Sequence, residues 1–233
     1  MRLDQSLVFR DLVVSRSQAI DLIKRGYVYV NQKKMTKPAF QIKEEDLIHI
    51  DKAYVYVSRG GDKLYPFITS LELPIYDTIA LDIGASTGGF TEVLLSQGVK
   101  KVISVDVGKD QLAPHILADD RVIPMEQTNI LSIKTPEHFV CVIDVSFTSV
   151  LPILKHIFEQ THHVIALIKP QFEQQNQFKD VIKSDVQREK IVSRVIEDIK
   201  KIGYIVHKIQ PSHIQGKKGN QEYFVYLTRG VHD

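Results

Sequence analysis

An apolar run, TIALDIG, turns through the small residues ASTGG directly into FTEVLLSQG, whose apolar positions recur at helical spacing. A strand that feeds a helix through so tight a turn brings the next strand back in parallel, since parallel strands are joined by such crossovers. The alternation continues along the chain. GDKLYPFITSLEL reads as a lead-in helix, and Leu112–Leu117, SVLPILKHIFEQ and SDVQREKIVSRVIEDIKKIG as later ones. KVISVDVG, VIPME, FVCVIDVS, HHVIALIKP, IVHKIQPS and EYFVYLTRG read as further strands. Seven short strands interleaved with amphipathic helices predict an α/β chain with a doubly wound, mainly parallel sheet. Ligands of such sheets bind beyond the carboxyl ends of the strands, so function-bearing residues are sought there.

The first residues are organised differently. DQSLVFRDL has helical apolar spacing through Leu7, Val8 and Leu12, and Ser15 to Gln18 fit a capping box that opens SQAIDLIKR. That helix is expected to bury Ala19, Ile20 and Ile23, to show Arg16 and Lys24 to solvent, and to end at Gly26. YVYVN and QIKEEDLIHID read as short extended segments. Residues 1–52 therefore predict a small α+β domain, 53–59 a linker and 60–233 the larger α/β domain.

Charge separates the two domains. Residues 1–43 hold nine Lys/Arg against three Asp, whereas 60–233 hold 19 basic and 21 acidic side chains. A basic front end on a near-neutral body points to a polyanion-binding module. No apolar stretch approaches the length of a membrane span, and MRLDQSLVFRDL lacks the apolar run of a secretory signal. A single cysteine, Cys141, excludes an intrachain disulfide, suits a reducing cytoplasm and reads as a packing residue. The nine histidines show no HExxH or comparable spacing, so no metal is expected.

The turn after TIALDIG is the candidate cofactor loop: Asp82, Gly84, Ala85, Ser86, Thr87, Gly88, Gly89 and Phe90. Small residues there let backbone approach a ligand closely. No G-x-G-x-x-G is present, and Gly84 and Gly88 stand four apart, which suits a nucleoside-bearing ligand without a pyrophosphate. Asp106 ends the second strand, 22 residues beyond Gly84, where an acid accepts from ribose hydroxyls. In a β-α-β context these features point to S-adenosylmethionine, with Asn129 either flanking the adenine or serving as a turn residue. Glycine-rich turns also merely join strands to helices.

Three charged residues stand against apolar strands: Asp144 after VCVI, Lys169 after VIALI and Glu222 before YFVYL. Lys63 begins the lead-in helix. A salt-bridged pair sealing the rim would account for Asp144 and Lys169. Catalysis would account for all four: a ribose hydroxyl is a poor nucleophile, and methylating it calls for a base that lysine can supply, held by acids.

RLDQSLV…SRSQAIDLIKRGYVYVNQKKMTKPAFQIKEEDLIHI resembles an S4 domain, which implies RNA-phosphate contacts by Arg2, Arg16, Lys24 and Arg25. SRGGDKL, DIGASTGGFTEVLL, DVSFTS, LIKPQFE and GNQEYF, in that order, resemble TlyA-type enzymes within the FtsJ-like RNA ribose 2′-O-methyltransferases. The resemblance implies a Rossmann-like methyltransferase domain and a Lys63–Asp144–Lys169–Glu222 catalytic tetrad. It also implies S-adenosylmethionine as donor and a cytidine of ribosomal RNA, free or in a ribosomal subunit, as substrate, with the large subunit favoured. A monomer is expected. Two departures stand out: QQNQFKDVIKSD replaces a glycine-rich stretch after LIKPQFE, and DVGKDQL replaces DVG-x-GQL. Two other readings stay open: a non-catalytic RNA-binding or ribosome-assembly factor, and a membrane-active haemolysin, for which no exposed amphipathic or spanning segment is read.

Overall fold

The computed structural model describes residues 1–13, 15–51, 56–174, 181–216 and 218–230. The chain divides into two compact units, Met1–Val55 and Tyr56–Asp233.

In the first unit α1 (Leu3–Phe9) and α2 (Arg16–Arg25) pack on β1 (Val28–Val30), β2 (Lys33–Met35) and β3 (Ile48–Ile50). The strands form an antiparallel sheet in the order β2-β1-β3. Ser15 caps α2 by accepting from the Gln18 amide at 3.2 Å, and Gly26 ends it in the left-handed region at φ 80°. The core gathers Leu3, Leu7, Ala19, Leu22, Ile23, Val28, Val30 and Ile50. Leu22, rather than Ile20, completes the buried stripe of α2. Ala19, Leu22 and Ile23 recur at i, i+3 and i+4, and Ile20 lies at the edge of that face. β2, with the sequence KKM, goes unread in the sequence because its outward residues carry no apolar alternation.

The second unit opens with α3 (Arg59–Thr69), which has Pro66 in its interior, and β4 (Ile79–Ile83), α4 (Gly89–Ser96) and β5 (Lys101–Val105) follow. Next come α5 (Pro114–Leu117), β6 (Val122–Met125), β7 (His138–Ile143), α6 (Leu151–Ile157), β8 (Thr161–Ile168), α7 (Asp185–Ile202), β9 (Tyr204–Pro211) and β10 (Tyr223–Arg229). The seven strands lie in the order β6-β5-β4-β7-β8-β10-β9. The first five are parallel, whereas β10 runs antiparallel to both its neighbours.

Alternation along the strands divides the core. Ala80, Val102, Val140, Val142, Ile165 and Phe224 meet α3, α4 and α5, while Leu81, Ile103, Cys141, Val164 and Val225 meet α6 and α7. Helices therefore cover both faces, the doubly wound α/β architecture that the residue pattern predicts. Cys141 is fully buried. Among the described residues no helix is long and apolar enough to cross a membrane, and no His/Cys/Asp/Glu cluster could hold a metal.

Candidate active site

The carboxyl ends of β4, β5, β7 and β8 place the loop Gly84–Gly88, Asp106, Asp144 and Lys169 along one rim. Gly84 has φ +85°, and a Cβ there would lie 2.7 Å from the Asp144 carbonyl oxygen. Only glycine lets the loop cross so close to the neighbouring strand. Ser86 (φ 48°) and Thr87 are exposed at the loop's tip. The Asp106 carboxylate gathers the Ser86 amide at 2.8 Å and the Gly108 amide at 2.7 Å.

The rest of the loop motif turns inward. Asp82 is fully buried; its Oδ2 accepts from Thr91 Oγ1 at 2.6 Å, and its Oδ1 has no hydrogen-bond partner. Burial, opposed by the Thr91 hydroxyl and reinforced by the charge of Asp144, pushes its carboxyl up to about 7. Phe90 packs on Phe224 and beneath Gly60, and Ala85 is also buried. These three side chains lie behind the loop, whereas Ser86 and Thr87 stand at its exposed tip. Gly88 and Gly89 keep the backbone close, for a Cβ on Gly89 would strike Ser58 Oγ at 2.1 Å. Asn129 is exposed but caps a 3-10 turn, its Oδ1 accepting from the Leu131 amide at 3.0 Å.

Where the sequence departs at DVGKDQL, Asp110 takes up the glycine's place at φ 51°. The Glu126 carboxylate receives the amides of Asp110, Gln111 and Leu112, at 2.7, 2.7 and 3.1 Å, and they hold it below the usual carboxylate range. The other departure falls largely on residues 175–180, which lie outside the described residues.

Two ion pairs stand beside the loop. Lys63 Nζ donates to Glu222 Oε2 at 2.6 Å, both groups buried. Gly216 makes room for that carboxylate, since a Cβ there would lie 2.4 Å from Glu222 Oε1. Lys169 Nζ lies 2.5 Å from Asp144 Oδ1 and donates to Ser146 Oγ at 3.1 Å. Its contact with Asp144 is close but poorly aligned as a hydrogen bond, so attraction between the charges dominates it. Register joins the pairs. Tyr223 faces Ile168 across β10 and β8, so Glu222 and Lys169 take the next opposed positions. Ile83 faces Ile143, so Asp144 follows beside Gly84. The four residues named from the sequence thus form one row that ends at the glycine loop.

Two further residues belong to this rim. Phe147 is 79% exposed, sits at φ 64° and lies 5.2 Å from the Phe172 ring, so the loops after Asp144 and Lys169 each contribute an aromatic side chain. A bulky residue in the left-handed region carries backbone strain. Buried Glu173 accepts from Ser149 Oγ at 2.5 Å and from the Val150 amide at 2.9 Å, fastening the same two loops together. Burial raises its carboxyl above the usual range. DVSFTS and LIKPQFE were the available signals, but neither motif reveals the pairing.

A separate basic surface lies on the N-terminal unit. Buried Asp4 is gripped by Arg2 at 2.9 and 3.1 Å and by Arg16 Nε at 2.9 Å, while both guanidinium groups reach solvent. The Arg2 hydrogen bond, opposed by burial and reinforced by Arg16, holds the Asp4 carboxyl below the usual range. Lys24 is exposed. Arg25 is not: its side chain is 4% exposed, paired with Asp21 at 2.9 Å and set over the Tyr27 ring. Its ion pair with Asp21 is the i, i+4 pair of one helix turn, and Asp21 is itself half-exposed.

Residues 56–229 match the FtsJ-like methyltransferase family model, and residues 1–48 match the S4 domain. The chain is 39% identical to Hemolysin A of Brachyspira hyodysenteriae, covering 97% of this chain and 99% of that one. It is 35% identical to the 16S/23S rRNA (cytidine-2′-O)-methyltransferase TlyA of Mycobacterium tuberculosis, covering 97% and 89%. A solved hemolysin-named structure from Streptococcus thermophilus is 33% identical with a TM-score of 0.74, covering 99% of this chain and 88% of that one. With its glycine loop and its row of four charged residues in place, the chain belongs to the FtsJ-like methyltransferase family and carries an S4 domain ahead of the family's fold.

Proposed function

We propose that this protein transfers a methyl group from S-adenosylmethionine to the 2′-hydroxyl of a cytidine in ribosomal RNA, with large-subunit RNA the favoured substrate. The single observation that carries the reading is the row Lys63–Glu222–Lys169–Asp144 ending at Gly84. The names of the relatives supply the substrate class. A monomer acting in the cytoplasm, where ribosomal RNA is made and assembled, suits this reading.

The loop fits the donor. Gly84 leaves no room for a side chain, Ser86 and Thr87 present exposed polar groups, and Asp106 can exchange its two amide partners for adjacent ribose hydroxyls. Asn129 stands after β6 as the candidate neighbour of the adenine. Bound there, S-adenosylmethionine supplies a methyl group made electrophilic by its sulfonium.

The remaining work falls to the four charged residues. Lys169 first gives its ammonium proton to solvent; its neutral Nζ then takes the 2′-hydroxyl proton as the 2′-oxygen forms its new bond, and Asp144 fixes the ammonium that this restores. Lys63, aimed by Glu222, gives the developing oxyanion a second cation. Arg2, Arg16 and Lys24 hold RNA phosphates at the S4 domain, supplying affinity without reading sequence.

The test is to incubate the protein with unmodified ribosomal subunits and labelled S-adenosylmethionine and to identify modified nucleosides by mass spectrometry. The reading expects 2′-O-methylcytidine. Absence of any 2′-O-methyl product, or undiminished transfer by Lys169→Ala, overturns it.

A further inference from the structure

Outside the rim, the outward face of the three-stranded sheet carries an arrangement that the proposed chemistry does not use. In the antiparallel register Tyr29 stands opposite both Lys34 and His49, so the three side chains form one row across β2, β1 and β3. The Tyr29 and His49 rings lie 6.3 Å apart and tilted by 45°. Lys34 Nζ sits 5.8 Å from the Tyr29 ring centre. Alternation along the strands sends Val28, Val30 and Ile50 into the core, which leaves this row facing outward. His49 and Lys34 are exposed and Tyr29 is half-buried.

The row borders an open cleft of about 560 Å³, lined by Tyr29, Asn31, Gln32, Leu47, His49 and Asp51 among others. Its wall is held in place: Asn31 Nδ2 donates to Asp46 Oδ1 at 2.7 Å, and the Leu47 amide donates to Asn31 Oδ1 at 2.9 Å. Leu47 is 77% exposed beside the rings. Lys34 reaches the row by passing over Gly26, where a Cβ would meet its Cδ at 3.3 Å. That path sets its charge beside Gly26, the C-terminal cap of α2.

We propose that the Tyr29–His49–Lys34 row is a stacking site for an unpaired RNA nucleobase. The occupant is argued from charge and shape together. An aromatic face accepts any base, the Lys34 ammonium set over the Tyr29 ring favours the attached phosphate, and residues 1–51 hold nine Lys/Arg against seven Asp/Glu. The proposal rests on the RNA reading given above and deepens it, since the helix arginines grip only the backbone whereas this row touches bases.

The test uses the full-length chain, a short single-stranded RNA and an abasic ribose-phosphate strand of the same length. The wild type is expected to bind the base-bearing strand about tenfold more tightly than the abasic one. Tyr29→Ala abolishes that preference, whereas Tyr29→Phe keeps it. Because Tyr29 is uncharged, its removal leaves the salt dependence of binding unchanged, whereas Lys34→Ala makes it shallower. His49→Ala, an exposed change, provides a second variant should Tyr29→Ala lower the melting temperature. Equal binding of the two strands by the wild type, or an intact preference in both Tyr29→Ala and His49→Ala, overturns the stacking site. A base preference that depends on Tyr29 upholds it even if the wild type transfers no methyl group to ribosomal RNA, a result that would count against the enzyme reading alone.

Discussion

Lys63 and Glu222 meet at 2.6 Å across 159 residues of sequence, both buried. Removing one partner strands a charge away from water, whereas removing both does not. Lys63→Met is expected to lower unfolding stability by about 3–5 kcal/mol. The double variant Lys63→Met, Glu222→Leu should recover most of that loss without recovering activity. Denaturant melts and methyl-transfer assays on the three proteins measure both effects; additive losses in the double variant would show that the two groups act independently.

Asp144 stands closer to solvent than Glu222, so its pairing with Lys169 should weigh less on stability than the first pair and more on turnover. Lys169→Ala is expected to reduce kcat by about 10² to 10⁴-fold while leaving affinity for S-adenosylmethionine within about twofold. Calorimetry paired with single-turnover assays separates the two; parallel loss of donor binding would place Lys169 in the donor site instead.

Asp82 makes stability depend on pH. Its folded carboxyl is raised from 3.8 to about 7, so its contribution is complete below the unfolded value and is lost as pH rises through the folded one. Asp82→Asn, which has no proton to lose, should therefore gain stability relative to the wild type between about pH 4 and about pH 8. Thermal melts across that range check the sign, and a difference that stays flat would mean that Asp82 is ionised in the folded protein throughout.

Phe147 holds a left-handed backbone with its ring in solvent. Phe147→Gly relieves the backbone strain, so its Tm should be no lower than that of the wild type. Methyl transfer should fall about tenfold if the ring offers a face to the substrate base. Loss of stability together with full activity would show that the ring serves packing on Phe172 alone.

Glu173 joins the loops that carry Asp144 and Lys169. Glu173→Ala leaves the Ser149 hydroxyl and Val150 amide without their acceptor, a loss of about 1–3 kcal/mol. Glu173→Gln, retaining one acceptor oxygen, should restore part of both stability and kcat. Identical behaviour of the two variants would mean that the staple is incidental.

The sequence exposes the alternation of strands and helices because burial on both sheet faces imposes it, and it places Asp144, Lys169 and Glu222 at strand ends because charge is expensive elsewhere. It does not expose which side of a loop each residue faces: Asp82 and Phe90 belong to the same motif as Ser86 and Thr87 yet point behind it. Arg25 looks like its exposed neighbour Lys24 until Asp21 and Tyr27 are seen to draw it in. Glu173 acts through Ser149 and Val150, more than twenty residues away, and the φ of Phe147 is set by its loop. Such pairings arise from tertiary proximity, which periodicity does not encode.

The reversed strand β10 slots between β8 and β9, with Glu222 at its leading end. During synthesis the donor loop and three of the four charged groups leave the ribosome well before this strand does. A nascent chain can therefore hold the glycine loop, Lys63, Asp144 and Lys169 before Glu222 arrives, and until then Lys63 lacks its carboxylate partner. Docking of β10 is therefore the folding step that completes the row on which the proposed transfer rests.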